Sequence, residues 1–91
     1  MAIESVVSEP WGDDMVEAYV LVQSEAGKAG QVTENLRKVP AVISVEAVTG
    51  PYDLVVRIEA DNVDLLARLV VGRVQVVEGI ARTLTCPIVS L

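Results

Sequence analysis

The sequence is poor in the residues that most enzyme sites require. It contains no histidine, no phenylalanine and a single cysteine, Cys86. Histidine is the commonest general base and metal ligand, and one cysteine can form neither an intramolecular disulfide nor a thiolate zinc cage. Ser-His-Asp triads, Cys-His pairs and zinc hydrolase sites are therefore excluded, and we expect no cofactor and no metal. With so little cysteine, the expected compartment is the reducing cytoplasm.

Basic residues and long apolar runs are also scarce. Seven Lys and Arg residues against thirteen Asp and Glu residues give a net charge of -6. Phosphate backbones are bound mainly through Lys and Arg, so we expect no direct nucleic acid binding. No apolar run approaches the roughly 18 residues of a membrane-spanning helix, and no basic-then-apolar leader resembles a signal peptide. A membrane partner is therefore not expected either.

The remaining composition indicates one small domain that needs support from other chains. The chain has 91 residues, of which 52% are hydrophobic. In so small a scaffold, burial of apolar surface at about 25 cal/mol per Å² roughly balances the conformational entropy lost on folding. Without disulfides or metals, oligomerisation is the remaining source of stability. We therefore expect the domain to complete its core against copies of itself.

The first 14 residues differ from the rest. They are acidic, with Glu4, Glu9, Asp13 and Asp14, and they contain the only tryptophan, Trp11. We interpret residues 1–14 as an acidic, mobile N-terminal leader, with a docked edge strand as the alternative. Residues 15–91 form the domain.

Hydrophobic periodicity predicts three strands and a helix in the first part of the domain. The continuous apolar run at residues 19–22 predicts a strand buried on both faces. Apolar residues at three- and four-residue steps over 29–39 predict an amphipathic helix that ends before Pro40. β-branched, partly alternating residues at 42–48 and alternating residues at 54–59 predict an antiparallel hairpin.

A second helix and a last strand complete the domain. Residues 63–77 carry two apolar stripes, so this helix is expected to be buried on more than one side. Asp61 or Asn62 can cap its start, and Gly79 can end it. Residues 80–88 are predicted to form the last strand.

The predicted order of elements is βαββαβ. Two interleaved βαβ halves in one antiparallel four-stranded sheet are the ferredoxin-like α+β arrangement, with both helices on one face. Because the first strand is apolar at successive positions, the other face of the sheet is expected to be apolar too. An open antiparallel sheet leaves one face in water only where that face is polar. We therefore expect a partner subunit to lay its own sheet against this face, as in a dimeric α+β barrel.

The turn between the second and third strands, Thr49-Gly50-Pro51-Tyr52-Asp53, has two interpretations. Glycine, proline and aspartate are turn formers, so it can be a plain hairpin connection. It can also cradle a small ligand. Backbone N–H groups beside Gly50 can approach a carboxylate, Asp53 can hold an ammonium group, and Tyr52 offers a flat apolar wall with a hydroxyl. A charged α-amino acid needs that combination.

The last strand and the arginines are open to two interpretations as well. Thr83 and Thr85 share one strand face, which either reflects strand propensity or presents two hydroxyls to a polar ligand. The opposite face carries the other side chains of this strand: Ile80, Arg82, Leu84 and Cys86. An arginine can pin a carboxylate, but surface arginines are usually solvated or paired with acids. The arginines in question are Arg57, Arg68, Arg73 and Arg82. We interpret Cys86 as a buried small hydrophobe.

Four segments together resemble a known family. They are Ala18-Tyr19-Val20-Leu21-Val22, Val39-Pro40-x-Val42, Val48-Thr49-Gly50-Pro51-Tyr52-Asp53 and Gly79-Ile80-x-Arg82-Thr83-Leu84-Thr85. Over residues 16–89 the chain resembles the ligand-binding (RAM) domain of the Lrp/AsnC family of transcriptional regulators. The G-x-Y-D turn with the threonine-bearing last strand is the most specific part of this resemblance.

The resemblance implies a homodimer built sheet to sheet, assembled into a higher oligomer, with an amino acid effector bound between dimers. The implied ligand-binding residues are Thr49, Gly50, Tyr52 and Asp53 from one subunit, with Thr83 and Thr85 from a neighbour. Full-length members carry an N-terminal helix-turn-helix that binds DNA, and the 14-residue leader is too short to form one. We therefore expect a stand-alone ligand-binding version that can co-assemble with full-length Lrp/AsnC regulators.

The leading hypothesis is a non-enzymatic, amino-acid-sensing and oligomerisation module. One alternative is a small cofactor-free enzyme on the dimeric α+β barrel, whose site would be a cavity within each protomer. A second is an ACT-like regulatory domain, whose subunits would pair side by side into one continuous sheet. A third is a scaffold with a vestigial pocket. The sequence leaves these alternatives open.

Overall fold

A computed structural model describes residues 15–90 of the chain. Its elements are β1 (Val16–Ser24), α1 (Ala29–Arg37), β2 (Val42–Ala47), β3 (Leu54–Ala60), α2 (Val63–Leu69) and β4 (Ile80–Pro87). The predicted βαββαβ order is thereby confirmed. The predicted leader at residues 1–14 lies outside the described residues.

The four strands form one sheet in the order β2-β3-β1-β4, with every neighbouring pair antiparallel. β2 and β3 form the predicted hairpin. Each of the two central strands, β1 and β3, is followed by a helical crossover. The ferredoxin-like α+β fold is therefore confirmed. All described helical segments lie against the same face of the sheet, where the buried core is found.

The core has a simple origin in strand alternation. Every second residue of β1 and β3 faces the helices, because side chains alternate across a strand. The fully buried side chains of these two strands include Val20, Val22, Val56 and Ile58. Burial at these positions stabilises the sheet by about 25 cal/mol per Å² of apolar surface removed from water.

α1 is the short amphipathic helix that the periodicity predicts. Val32 and Leu36 are completely buried against the sheet, and Val39 follows them into the core. The helix ends at Arg37, and the Val39 N–H donates to the Leu36 carbonyl at 3.1 Å in the turn before Pro40. Proline disfavours a helical conformation of the residue before it, which explains where the helix stops.

α2 begins after a capping residue and continues into a π-helical turn. Of the two candidates, Asn62 is the cap: its Oδ1 accepts from the Leu65 N–H at 2.8 Å. Residues Val70–Val74 continue the helix as a π-helical turn, in which the Gln75 N–H donates to the Val70 carbonyl at 2.8 Å. The helical segment thus ends before the predicted Val77.

Only one stripe of α2 is buried in the chain. Leu66, Val70 and Val74 face the sheet and are buried, whereas Leu65 is 38% exposed and Val76 is 68% exposed. The prediction of burial on more than one side is therefore wrong for the single chain. The physical reason is that, within residues 15–90, the helices pack against the sheet on one side and no other element covers their outer side.

The sheet face opposite the helices, here called the open face, is mixed in character. Its centre is an apolar patch of five side chains: Tyr19, Leu21, Val55, Leu84 and Cys86. These residues lie opposite one another in the strand register, and Leu84 is 47% exposed. Charged residues flank the patch, among them Glu17 and Arg57, which form an ion pair.

Three sequence predictions about this face need correction. The open face is apolar at its centre but polar at its margins. β1 is buried on one face only, since Tyr19 is exposed. Cys86 is half-buried on the open face rather than buried in the core. All three corrections follow from strand alternation, which places these residues on the side without helices.

Candidate functional site

The turn at residues 49–53 lies at the end of the sheet where β1 finishes. Its base is fixed by two backbone hydrogen bonds. The Val48 N–H donates to the Asp53 carbonyl at 2.9 Å, and the Asp53 N–H donates to the Val22 carbonyl at 3.0 Å. Thr49 and Gly50 are exposed at the tip, while Tyr52 is half-buried. The turn therefore presents backbone and hydroxyl groups to solvent from a fixed base.

Gly50 has a backbone conformation that suits glycine. Its φ is 148°, and a Cβ built at this position would meet no heavy atom nearer than the Tyr52 carbonyl oxygen, at 3.9 Å. Backbone torsion rather than crowding therefore favours glycine here. The absence of a side chain leaves the neighbouring backbone open to an approaching ligand.

Asp53 is anchored to the end of β1. Its Oδ1 accepts from the Ser24 N–H at 3.0 Å, and its Oδ2 accepts from the Ser24 hydroxyl. The hydrogen bond from the Ser24 side chain lowers the pKa of Asp53, desolvation opposes it, and backbone hydrogen bonds lower the pKa further. Asp53 is therefore an oriented carboxylate that stays ionised at neutral pH.

Thr83 and Thr85 lie on the helix side of β4, opposite Val22 and Val20 of β1. The Thr83 hydroxyl accepts a hydrogen bond from Gln75 Nε2 at 3.1 Å. The prediction that the two threonines share one face is confirmed.

Ile80 departs from the predicted alternation of β4. A register shift beside Gln23 and Ser24 lets Ile80 pack against the core, so it does not share the open face with Arg82.

Each threonine lines a different groove. Thr83 borders a groove of about 380 Å³ together with Gln75, Ala81 and Arg82. Thr85 borders an apolar groove of about 230 Å³ between α2 and β4. Within one chain the six predicted site residues thus form two groups, with the turn on one side of β1 and the threonines on the other.

Two residues of this region were not identified from the sequence. Ser24 holds Asp53, and Gln75 holds Thr83. A serine at the end of a strand and a glutamine after a helix have no distinctive spacing. Their roles depend on antiparallel pairing and on the π-helical turn, neither of which leaves a local sequence signal.

The remaining candidates are placed as follows. Arg57 donates hydrogen bonds to the Glu17 carboxylate, and this ion pair raises the pKa of Arg57. The exposed Arg68 pairs with Asp64 at 3.2 Å. These two arginines are therefore paired with neighbouring acidic residues, as the second interpretation expected. The open face carries a groove of about 330 Å³ beside Tyr19 and Arg57, and it opens to solvent rather than forming an enclosed cavity.

Neither a metal cluster nor a membrane-spanning helix is found in residues 15–90. No three His, Cys, Asp or Glu side chains of this region are arranged to hold a metal ion. No helix of this region is both long and apolar enough to cross a bilayer.

Comparison with known families identifies the domain. A model of the Lrp/AsnC ligand binding domain matches residues 17–90. The chain belongs to the Lrp/AsnC ligand-binding domain family. The match includes β1 from its second residue, both helical crossovers, the 49–53 turn and β4.

Individual relatives agree with this assignment. The HTH-type transcriptional regulator FL11 from Pyrococcus horikoshii is 39% identical over 64 residues, which are 68% of this chain and 42% of that protein. The crystal structure of FFRP-DM1 is 31% identical with a TM-score of 0.78, and the match covers 81% of this chain and 99% of that one. Escherichia coli AsnC, 16% identical, shares the fold with a TM-score of 0.80 over all of this chain and 62% of its own.

The Lrp/AsnC domain is the region that this chain shares with its longer relatives. The chain spans 42–48% of the length of the curated regulators that it matches. The family assignment therefore applies to a ligand-binding domain of transcriptional regulators, and the matched region excludes more than half of each of these curated regulators.

Proposed function

We propose that this domain binds an amino acid effector without catalysing a reaction on it. The single observation that carries the proposal is the Asp53 carboxylate, which is ionised, oriented by Ser24 and placed beside the exposed tip of a glycine-bearing turn. An α-amino acid offers an ammonium group for such a carboxylate and a carboxylate for backbone N–H groups. The family assignment as a ligand-binding domain supports this interpretation.

In this proposal the two groups of predicted residues meet between subunits. Asp53 accepts from the ammonium group, backbone N–H groups near Thr49 and Gly50 bind the carboxylate, and Tyr52 lines the effector's side chain. Thr83 and Thr85 of a neighbouring subunit contribute from the other side. Their separation from the turn within one chain is consistent with a site that needs two copies.

The proposed assembly begins with the open face. A second copy covers the apolar patch defined above, so two sheets pack face to face, and these dimers join into a higher oligomer. Burial of exposed apolar side chains, Leu84 among them, provides the driving force, at about 25 cal/mol per Å². The effector then binds between dimers and changes which assembly is favoured.

The proposed output is regulation of transcription or amino acid metabolism in the cytoplasm. The named relatives are HTH-type transcriptional regulators, so co-assembly with full-length Lrp/AsnC regulators would bring DNA binding to the complex. The net charge of -6 of the whole chain disfavours direct contact with a phosphate backbone. Regulatory rather than enzymatic relatives support the non-enzymatic assignment.

A ligand panel tests the proposal directly. The twenty standard L-amino acids, supplied singly at millimolar concentration, should divide into a majority without effect and one or a few that raise the unfolding temperature. A ligand at 100 times its Kd stabilises the folded state by about 2.7 kcal/mol. L-methionine belongs in the panel because a Neisseria meningitidis regulator of the same fold, 19% identical with a TM-score of 0.71, was crystallised as its complex.

The variant Asp53→Asn tests the site in the same assay. It should lose most of the ligand-induced shift, because the ammonium group loses its charged acceptor. Asp64→Asn is the matched control, since it removes an exposed carboxylate from α2 and should leave the shift unchanged. The absence of a shift with any amino acid, or an equal shift in Asp53→Asn and the wild type, would contradict the proposal.

A further inference from the structure

The last residue of β1, Ser24, makes two hydrogen bonds to the Asp53 carboxylate through two different donors. Its backbone N–H donates to Oδ1 at 3.0 Å, and its hydroxyl donates to Oδ2. We propose that Ser24 is a positioning residue of the effector site, which holds the Asp53 carboxylate in the orientation that receives an ammonium group. This inference rests on the proposed function and deepens it, because Ser24 acts through Asp53 rather than on the effector.

The geometry leaves Asp53 able to bind a second partner. An ionised carboxylate offers about four lone-pair sites on its two oxygens. Ser24 occupies one site on each oxygen, so each oxygen keeps an acceptor site for an incoming ammonium group. Two donors on two oxygens also oppose rotation about the Cβ–Cγ bond, since rotation would break both hydrogen bonds. The effector therefore meets a carboxylate whose orientation is already fixed, and binding loses less side-chain entropy.

The residues on either side of Ser24 tie the 49–53 turn and β4 of the same chain to one strand end. Gln23 Nε2 donates to the Pro51 carbonyl at 3.3 Å, which attaches the turn. The Glu25 N–H donates to the Gly79 carbonyl at 2.7 Å, which attaches the start of β4. Ser24 thus lies at the junction between the 49–53 turn and the strand that carries the threonines. A change at Ser24 therefore acts on a segment that contacts both the 49–53 turn and the start of β4 in its own chain.

Removal of the Ser24 hydroxyl tests the inference. In Ser24→Ala the Oδ2 bond is lost, and the Kd for the amino acid that stabilises the wild type most in the panel should rise about tenfold, because the carboxylate must then be ordered when the effector binds. Ser24→Thr keeps both donors and should bind within about twofold of the wild type. Thr33→Ala is the matched control, because it removes a half-buried hydroxyl that donates to the Ala29 carbonyl at 2.8 Å, far from the turn in sequence. Titration calorimetry gives the Kd values, and circular dichroism confirms that each variant folds.

A double variant separates positioning from general loosening of the fold. If Ser24 acts through Asp53, then Ser24→Ala should have no further effect on Kd in an Asp53→Asn background. Wild-type affinity in Ser24→Ala, or a full tenfold loss added to that of Asp53→Asn, would overturn the positioning role while leaving the proposed function intact. Failure of the wild type to bind any of the twenty amino acids would overturn the proposed function and the positioning role together.

Discussion

Gly79→Ala is expected to lower the free energy of unfolding by about 3 kcal/mol, the largest single-residue effect predicted for this chain. Gly79 has a φ of 98° and is buried. A Cβ at this position would lie 2.8 Å from Val32 Cγ2 and 3.1 Å from Lys28 Cβ. The variant thus combines a left-handed backbone conformation with overpacking against α1, and Val32 cannot move away because it is completely buried.

Urea denaturation measures this effect, and Gly30→Ala is its matched control. Gly30 lies in α1, and a Cβ there would meet no heavy atom within 4 Å. Alanine has a helix propensity better than that of glycine by up to about 1 kcal/mol, so Gly30→Ala should raise the urea midpoint while Gly79→Ala lowers it. Equal midpoints for the two variants would contradict the packing described at Gly79.

Leu84→Asp is expected to dissociate the proposed assembly, with an increase of about a hundredfold or more in its dissociation constant. Leu84 belongs to the apolar patch at the centre of the open face. It lies opposite Leu21 and is 47% exposed in the single chain. An aspartate at this position remains solvated in a monomer but becomes a buried, unpaired charge under a second sheet. In a two-fold dimer each interface contains the substitution twice.

Sedimentation velocity distinguishes the open face from the rest of the surface. Leu65→Asp makes the same change at a residue of α2 on the helix side that is 38% exposed and borders neither threonine groove, and it should sediment as the wild type. Leu84→Asp should sediment as a smaller species with unchanged secondary structure. A wild-type profile for Leu84→Asp would show that the open face is not the interface.

The fold could be predicted well from the sequence because its signals are local. The alternation of Leu54, Val56 and Ile58 fixes a strand and its buried face, and the spacing of Val32 and Leu36 fixes the inner side of α1. Pro40 and Asn62 mark helix boundaries by known stereochemistry. These rules need only neighbours in the sequence, and the structure confirms all of them.

Features that depend on tertiary layers were harder to predict. The outer stripe predicted for α2 is apolar like its inner stripe, so periodicity alone could not show that Leu65 and Val76 stay exposed within residues 15–90. The register shift that turns Ile80 into the core requires knowledge of how β1 and β4 pair. The prediction of an apolar open face was wrong at its margins. The apolar run at residues 19–22 supplies only the centre of that face, and Glu17 and Arg57 flank it.

Only part of the candidate site could be predicted from the sequence. Gly50, Tyr52 and Asp53 stand next to each other in a turn with a distinctive composition, so they could be named at once. Ser24 lies 29 residues from Asp53 and reaches it only through antiparallel pairing. A hydrogen bond of such long sequence separation has no signature in a single sequence.

Native mass spectrometry of the intact chain, with and without the panel amino acids, tests the central claim most directly. It reports the number of subunits and the retained ligand in one spectrum. We expect an assembly of an even number of subunits that retains at least one of the amino acids. A monomer at micromolar concentration that retains none of them would contradict it.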